Sequence, residues 1–257
     1  MSSVILEIKG SVAYITFNRP DKLNSFDREM ALLFQSILDE CRSSAIRCVH
    51  LTGAGKAFSA GQDLAEVTDP AGPGMARILG EHYNPIITRI RSIEKPVVAS
   101  VNGVAAGAGA NIALCCDIVV AGDNASFIQA FSKIGLVPDS GGTFFLPRLI
   151  GFQKASALMM LGEKISAEEA EKMGMLYKIF PAADLLTNSS AIAEFLAAMP
   201  TKGLAYTKAA LNSSLTSTLS SQLQTEDLYQ QKAAATADFK EGVDAFMQKR
   251  KPVFKGE

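Results

Sequence analysis

Between Lys95 and Thr143 the chain reads KPVVASVNGVAAGAGANIALCCDIVVAGDNASFIQAFSKIGLVPDSGGT, and no other stretch restricts the fold as much. An apolar strand over 96–101 leads into a glycine- and alanine-rich turn at 103–109, which opens into an apolar helix over 110–116. Such a junction leaves the first N–H groups of the helix without intrahelical acceptors, at the positive end of the helix dipole. Ala106, Gly107, Ala108 and Gly109 carry little or no side chain, so a ligand can approach that backbone. About thirty residues on, a solitary acid, Asp139, sits between Pro138 and Ser140–Gly141–Gly142, where a further helix is expected. Anion-stabilising backbone followed by one carboxylate is the outline of a site.

The rest of the chain supports one large domain or one domain with an appendage. Its 257 residues suffice to bury a core without disulfides or metal. With 48% hydrophobic and 20% charged residues it is not a disordered chain. A net charge of −1, with no basic cluster before the last nine residues, argues against nucleic acid as a partner. MSSVILEIKGS has no charged-then-apolar leader, and no apolar run approaches the ~20 residues of a membrane helix. Cys41, Cys48, Cys115 and Cys116 include no C-x-x-C pair, so free thiols and a cytoplasmic location are expected, with no membrane partner.

Strands are expected at 4–8, 12–17, 48–52, 96–101 and 177–180, with helices at 26–41, 152–161 and from Ser166, whose S-x-x-E pattern with Glu169 forms a capping box. Lys56–Leu64 reads as a small-residue loop, 69–74 as a mobile one, and 75–92 as a helix that Pro85 kinks or splits. From about residue 184 the pattern is helical to 251, with breaks at Pro200 and around 212–221. Strands and helices thus alternate to about residue 180, and helices finish the chain.

Several chemistries drop out. His50 lies among apolar residues in a strand and reads as structural; His82 reads as a surface residue. Without a G-x-S-x-G elbow, a serine hydrolase is disfavoured. The scattered cysteines and histidines give no metal set, and no G-x-x-x-x-G-K-[ST] loop occurs. Three readings of the glycine turn stay open, the plainest being close helix–strand packing through small side chains. Gly107–Ala113 nearly matches the G-x-G-x-x-G/A dinucleotide fingerprint, with the third small residue one place late. Alternatively the turn holds a carbonyl oxygen that becomes negative during reaction, with 56–64 giving a second donor and Asp139 carrying the proton. Asp139 could equally be an N-cap for the helix after Ser140.

On Asn18–Arg19–Pro20 with Leu23–Asn24, on AFSAGQDL (57–64), on Lys95–Ile118, on Gly135–Gly142 and on Ala245–Phe254, the chain resembles the crotonase, or enoyl-CoA hydratase/isomerase, superfamily. The resemblance implies an α/β spiral of ββα units over 1–195 holding an acyl-CoA site. It implies a helical trimerisation region over 196–257, and a homotrimer or homohexamer. The oxyanion hole would fall on Ala60 and Ala108. Lys22, Leu23, Ala60, Gln62, Asp63, Leu64 and Gly107 would contact coenzyme A, with Phe246 and Lys249 reaching that of a neighbouring subunit. No cofactor is implied beyond the coenzyme A of the substrate itself. The two glutamates that handle water in hydratases are replaced here by Asn111 and Phe131, whereas Asp139 matches the acid of the isomerases. The aliphatic run Leu136–Val137–Pro138 is expected to desolvate Asp139 and favour its neutral form. The implied activity is isomerisation of ring-1,2-epoxyphenylacetyl-CoA to its oxepin, with 3-enoyl-CoA to 2-enoyl-CoA isomerisation or a weak enoyl-CoA hydratase activity as the alternatives.

Overall fold

The structure is a computed structural model describing residues 2–257. β1 (Val4–Lys9) and β2 (Val12–Phe17) pair antiparallel from Val4–Phe17 to Lys9–Val12. Three further strand pairs follow: β3 (Cys48–Gly53) with β4 (Ala57–Ser59), β5 (Val97–Val101) with β6 (Val104–Ala106), and β7 (Ile118–Gly122) with β8 (Ser126–Ile128). The first strand of each pair joins a six-stranded sheet of order β1-β2-β3-β5-β7-β10. The second joins a four-stranded sheet of order β4-β6-β8-β9, where β9 is Lys164–Ser166 and β10 is Lys178–Phe180. From β2 onward every pairing in the larger sheet is parallel. The chain therefore advances one strand in both sheets per turn, which is a crotonase-type spiral.

Burial explains why the strands read as continuous apolar runs. Val97, Ala99 and Val101 face the main core, while Val98 on the opposite face packs with Val12, Cys48, Ala193 and Ala197. A parallel sheet covered on both sides needs this pattern. On the core side, Phe17 meets Phe26, Phe34 and Phe58 edge-on at 5.0–5.3 Å between centroids, clamping the helix Arg28–Glu40 and the end of β4 to β2. Ser166 and Glu169 form the expected capping box at the head of Ala167–Lys172.

Three expectations need revision, and the interruption expected at Pro85 is present. β4 and β6 occupy segments read as loop and turn; three residues are too few to show a period of two. The 75–92 stretch is an α-helical turn Gly74–Arg77, a π-helical turn Ile78–Tyr83 and a helix Asn84–Ser92. Tyr83 and Asn84 are themselves right-handed helical, with the Asn84 N–H on the Leu79 carbonyl. Pro85 thus removes a donor within a continuous helical run, and the π-helical turn directly before it is the interruption expected there. The helix after the glycine turn is Ala108–Leu114, two residues earlier than its apolar run suggests. The division expected at 195/196 falls inside Leu185–Ala198, which covers the back of the large sheet; the chain breaks at Met199–Pro200 instead. Helices Thr201–Ser214, Leu219–Ala234 and Ala237–Met247 complete the fold.

Candidate active site

The end of β4 and the start of the Ala108–Leu114 helix lie in direct contact. A Cβ placed on Gly109 would stand 2.5 Å from the Ser59 carbonyl oxygen, and one on Gly61 only 2.8 Å from that of Ala106 and 3.2 Å from the Ala108 nitrogen. Gly61 and Gly107 also take φ of +87° and +51°, conformations that glycine adopts without strain. Small residues here are thus a condition of the geometry.

This contact brings two amides together. The Ala108 N–H is the first of its helix and has no intrahelical partner. The second is that of Gln62. Phe26 bridges this segment from one side, donating to the Gly61 carbonyl at 2.7 Å and accepting from the Asp63 N–H at 2.8 Å. Backbone alternation turns the Gln62 N–H to the other side. Among the described residues neither the Gln62 nor the Ala108 N–H meets an acceptor. Ala60, expected as the second donor, is unavailable, because its N–H donates to the Leu23 carbonyl at 2.9 Å. The donor pair is Gln62 and Ala108.

Both residues line a cavity of about 200 Å³ together with Ala60, Leu64, Val67, Met75, Ile78, Tyr83, Gly107, Ala130, Phe131, Lys133, Ile134, Leu136 and Asp139. The structure thus gathers Ala60, Gln62, Leu64, Gly107, Ala108 and Asp139 as expected. Asp139 does not cap a helix through its side chain. Gly142–Ile150 begins after Gly141, and only the Asp139 backbone carbonyl accepts from Gly142 N–H. Its carboxyl accepts from the Ser140 hydroxyl at 2.8 Å. Burial raises its pKa above the ordinary carboxylate range, and the Ser140 hydrogen bond partly opposes this. Of the aliphatic run expected to supply this desolvation, Leu136 lines the cavity with Asp139, whereas Val137 is 78% exposed. The other apolar walls of the cavity, among them Ile78, Phe131 and Ile134, add to the dry surroundings.

The two positions aligned with the hydratase glutamates are both occupied structurally. Asn111 is buried, donates to the Asp139 carbonyl at 2.9 Å, and accepts from Gln129 Nε2 at 2.8 Å. It ties the helix to the Asp139 loop. Phe131 forms a cavity wall over Gly107.

Other expected contacts lie outside the cavity. Asp63 caps the helix Leu64–Thr68 through Ala65 N–H and pairs with Arg19 at 3.0 Å, so its carboxylate serves the loop. Lys22 is exposed at the end of a 3-10 turn, and Leu23 follows it in left-handed backbone. Phe246, 82% exposed, lines a separate groove on the last helices with Phe239 and Phe254, and Lys249 lies in the turn beyond. The Asn18–Asn24 motif has a folding role: Asn24 Nδ2 donates to the Ala54 and Ala57 carbonyls, and its Oδ1 accepts from Arg19 N–H.

His50 is structural as expected, bonded to Ser189 at 2.9 Å, with burial lowering its pKa to about 4. His82 is not a surface residue; it is buried beside Arg28 at 3.2 Å. Its neighbour Tyr83 carries no sequence signal of a role in the site. The π-helical turn carries both residues inward. Tyr83 is fully buried, donates to Gln62 Oε1 at 3.0 Å and lines the cavity. Burial, then the nearby Asp139 charge, pushes its phenol pKa far up.

Comparison with known proteins agrees with this arrangement. Residues 7–257 match the family described as enoyl-CoA hydratase/isomerase. The chain is 44% identical to the 1,2-epoxyphenylacetyl-CoA isomerase of Escherichia coli K12, covering 100% of both. It is 42% identical to a probable enoyl-CoA hydratase of Rhodobacter capsulatus, over 97% of this chain and 96% of that one. The crystal structure of an enoyl-CoA hydratase/isomerase homologue from Mycobacterium abscessus superposes with a TM-score of 0.93 at 35% identity, over 99% of this chain and 100% of the other. The chain is an enzyme of the enoyl-CoA hydratase/isomerase, or crotonase, family that acts on CoA thioesters.

Proposed function

We propose that the protein is an acyl-CoA isomerase in which the Gln62 and Ala108 amides hold the thioester oxygen and Asp139 moves the proton. The observation that carries this reading is a single carboxylate, Asp139, on the same small cavity as two unpartnered amides. The Asp139 carboxylate takes a proton from the carbon beside the thioester. The electron pair left behind delocalises onto the thioester oxygen, where both N–H groups meet the new charge. The same proton then returns two carbons along the conjugated system, so the double bond moves with no net change in composition. Asp139 must be ionised to begin, and its raised pKa makes it the stronger base.

The preferred substrate is ring-1,2-epoxyphenylacetyl-CoA. The C–C bond shared by its epoxide and six-membered ring breaks, and the electron pair redistributes into the double bonds of the seven-membered oxepin. The Asp139 proton shift then sets the final double-bond positions. The 44% identical relative named for this substrate supports the assignment. The conversion of 3-enoyl-CoA to 2-enoyl-CoA is the second reading, since it asks the same of the site. The cavity, about 200 Å³, fits an acyl group rather than a whole nucleotide. Hydration is disfavoured: Asn111 holds a loop and Phe131 has no titrating group. Exposed Phe246, far from this cavity, suits a contact with the substrate of a neighbouring subunit in a trimer. Product analysis with epoxyphenylacetyl-CoA and a 3-enoyl-CoA side by side tests the assignment. Oxepin product supports the first reading, and 2-enoyl-CoA alone supports the second. A 3-hydroxyacyl product in quantity overturns both.

A further inference from the structure

We infer that Tyr83 and Glu66 are positioning residues that aim the Gln62 N–H at the thioester oxygen, acting through the Gln62 side chain. The inference rests on the thioester grip proposed above. The peptide carrying that N–H is held at only one atom, the Gly61 carbonyl, which accepts from Phe26. On its other flank stands Gly61, with no side chain and a φ of +87°. The flanking peptides are pinned, Asp63 N–H on the Phe26 carbonyl at 2.8 Å and Gly61 N–H on Ser59 Oγ at 3.1 Å. What is left to set is the tilt of this one peptide, which swings the N–H toward or away from its target.

What steadies it is the other end of the same residue. Gln62 Oε1 accepts from the Tyr83 hydroxyl at 3.0 Å, while Nε2 donates to Glu66 Oε2 at 2.8 Å and more weakly to the Asp63 carbonyl at 3.3 Å. The orientation of the amide is forced, because a carboxylate only accepts and so must face Nε2. Glu66 is itself fixed from the head of the Arg28–Glu40 helix, accepting from Arg28 N–H at 2.8 Å. Tyr83 is fixed by burial against Phe26, 6.1 Å between centroids. The Gln62 side chain is therefore strung between two anchors on different elements. Its backbone N–H inherits that rigidity, and preorganised donors are what an oxyanion site needs.

The test uses infrared difference spectroscopy on the full-length protein with bound ¹³C=O-labelled hexanoyl-CoA, a saturated thioester with no double bond to move, alongside turnover. In the wild type the thioester stretch shifts to lower frequency. Tyr83→Phe, which removes only the hydroxyl, is expected to reduce that shift and lower kcat about tenfold with KM little changed, the worth of one aligned hydrogen bond. Glu66→Ala, on a half-buried helix, is expected to do the same, and carries the test if Tyr83→Phe misfolds. In a Gln62→Ala background, which keeps the N–H but lacks the tether, Tyr83→Phe should add nothing. A full effect of Tyr83→Phe in that background overturns the inference. So does a wild-type shift unchanged in both single variants. No shift in the wild type would sink the thioester grip itself, and this inference with it.

Discussion

Replacing Gly61 with alanine probes the junction between the two amides. The added Cβ would stand 2.8 Å from the Ala106 carbonyl oxygen and 3.2 Å from the Ala108 nitrogen, both backbone atoms that no rotamer change can move. To restore ordinary contact the two segments must separate by roughly 0.6 Å. Alanine at a φ of +87° adds ~1–2 kcal/mol of backbone strain. Oxyanion donors work within about 2.7–3.1 Å of the developing charge, so this separation takes one donor out of range. Losing one donor costs ~2.7–4 kcal/mol in the transition state, a fall of ~10²–10³ in kcat. The strain alone lowers Tm by several degrees, on the order of 2–8 °C for a chain of this size. Steady-state turnover and thermal melting of the same preparation separate the two effects. A variant with lowered Tm but kcat within threefold of wild type would refute the placement of the oxyanion site between Gln62 and Ala108.

Further predictions follow from the ionisable groups. Asp139 has a raised folded pKa, so its ionisation disfavours the folded state as pH climbs from its unfolded value through its folded one. Asp139→Asn should therefore raise stability at pH 7, with the gain vanishing below the ordinary carboxylate range, as read by denaturant titration at several pH values. His50 has the opposite sense: its pKa drops to about 4, so its contribution is present above about pH 6.5 and lost as pH falls toward 4. That loss amounts to roughly 3 kcal/mol, and His50→Gln should flatten this acid limb; an unchanged limb would contradict it. Asp117 binds Arg91 at 3.0 Å, Lys208 at 2.8 Å and the Val97 N–H at 2.9 Å, joining helix Thr201–Ser214 to the core. Asp117→Ala leaves buried Lys208 without its counter-ion and should cost ~3–5 kcal/mol of unfolding free energy; a loss below 1 kcal/mol would contradict that.

How much of this was legible follows from what each residue depends on. The larger sheet was readable because β2, β3 and β5 are mostly apolar and rich in β-branched residues, the mark of strands covered on both faces. The smaller sheet was not, because β4, β6 and β8 have three residues each and their pairing is set by the spiral. Asp139 could be named from its neighbours in the chain, and the turn holding Ala108 likewise, with Ala108 itself picked out by the family resemblance. Gln62 was legible as a coenzyme A contact but not as a donor, since which amide faces the cavity depends on the bridge to Phe26, thirty-six residues earlier. The Ala60 assignment failed for the same reason: its partner, the Leu23 carbonyl, is distant in sequence. His82 and Tyr83 were misjudged or missed because one π-helical turn shifts the buried face away from the α-helical period.

Proton carriage by Asp139 is most directly tested by the kcat of Asp139→Asn on a 3-enoyl-CoA, with thioester affinity measured on the same variant. The account predicts a fall of ~10²–10⁴ in turnover with binding retained, since shape and cavity persist while the titrating group is gone. Turnover within a few-fold of wild type would contradict it.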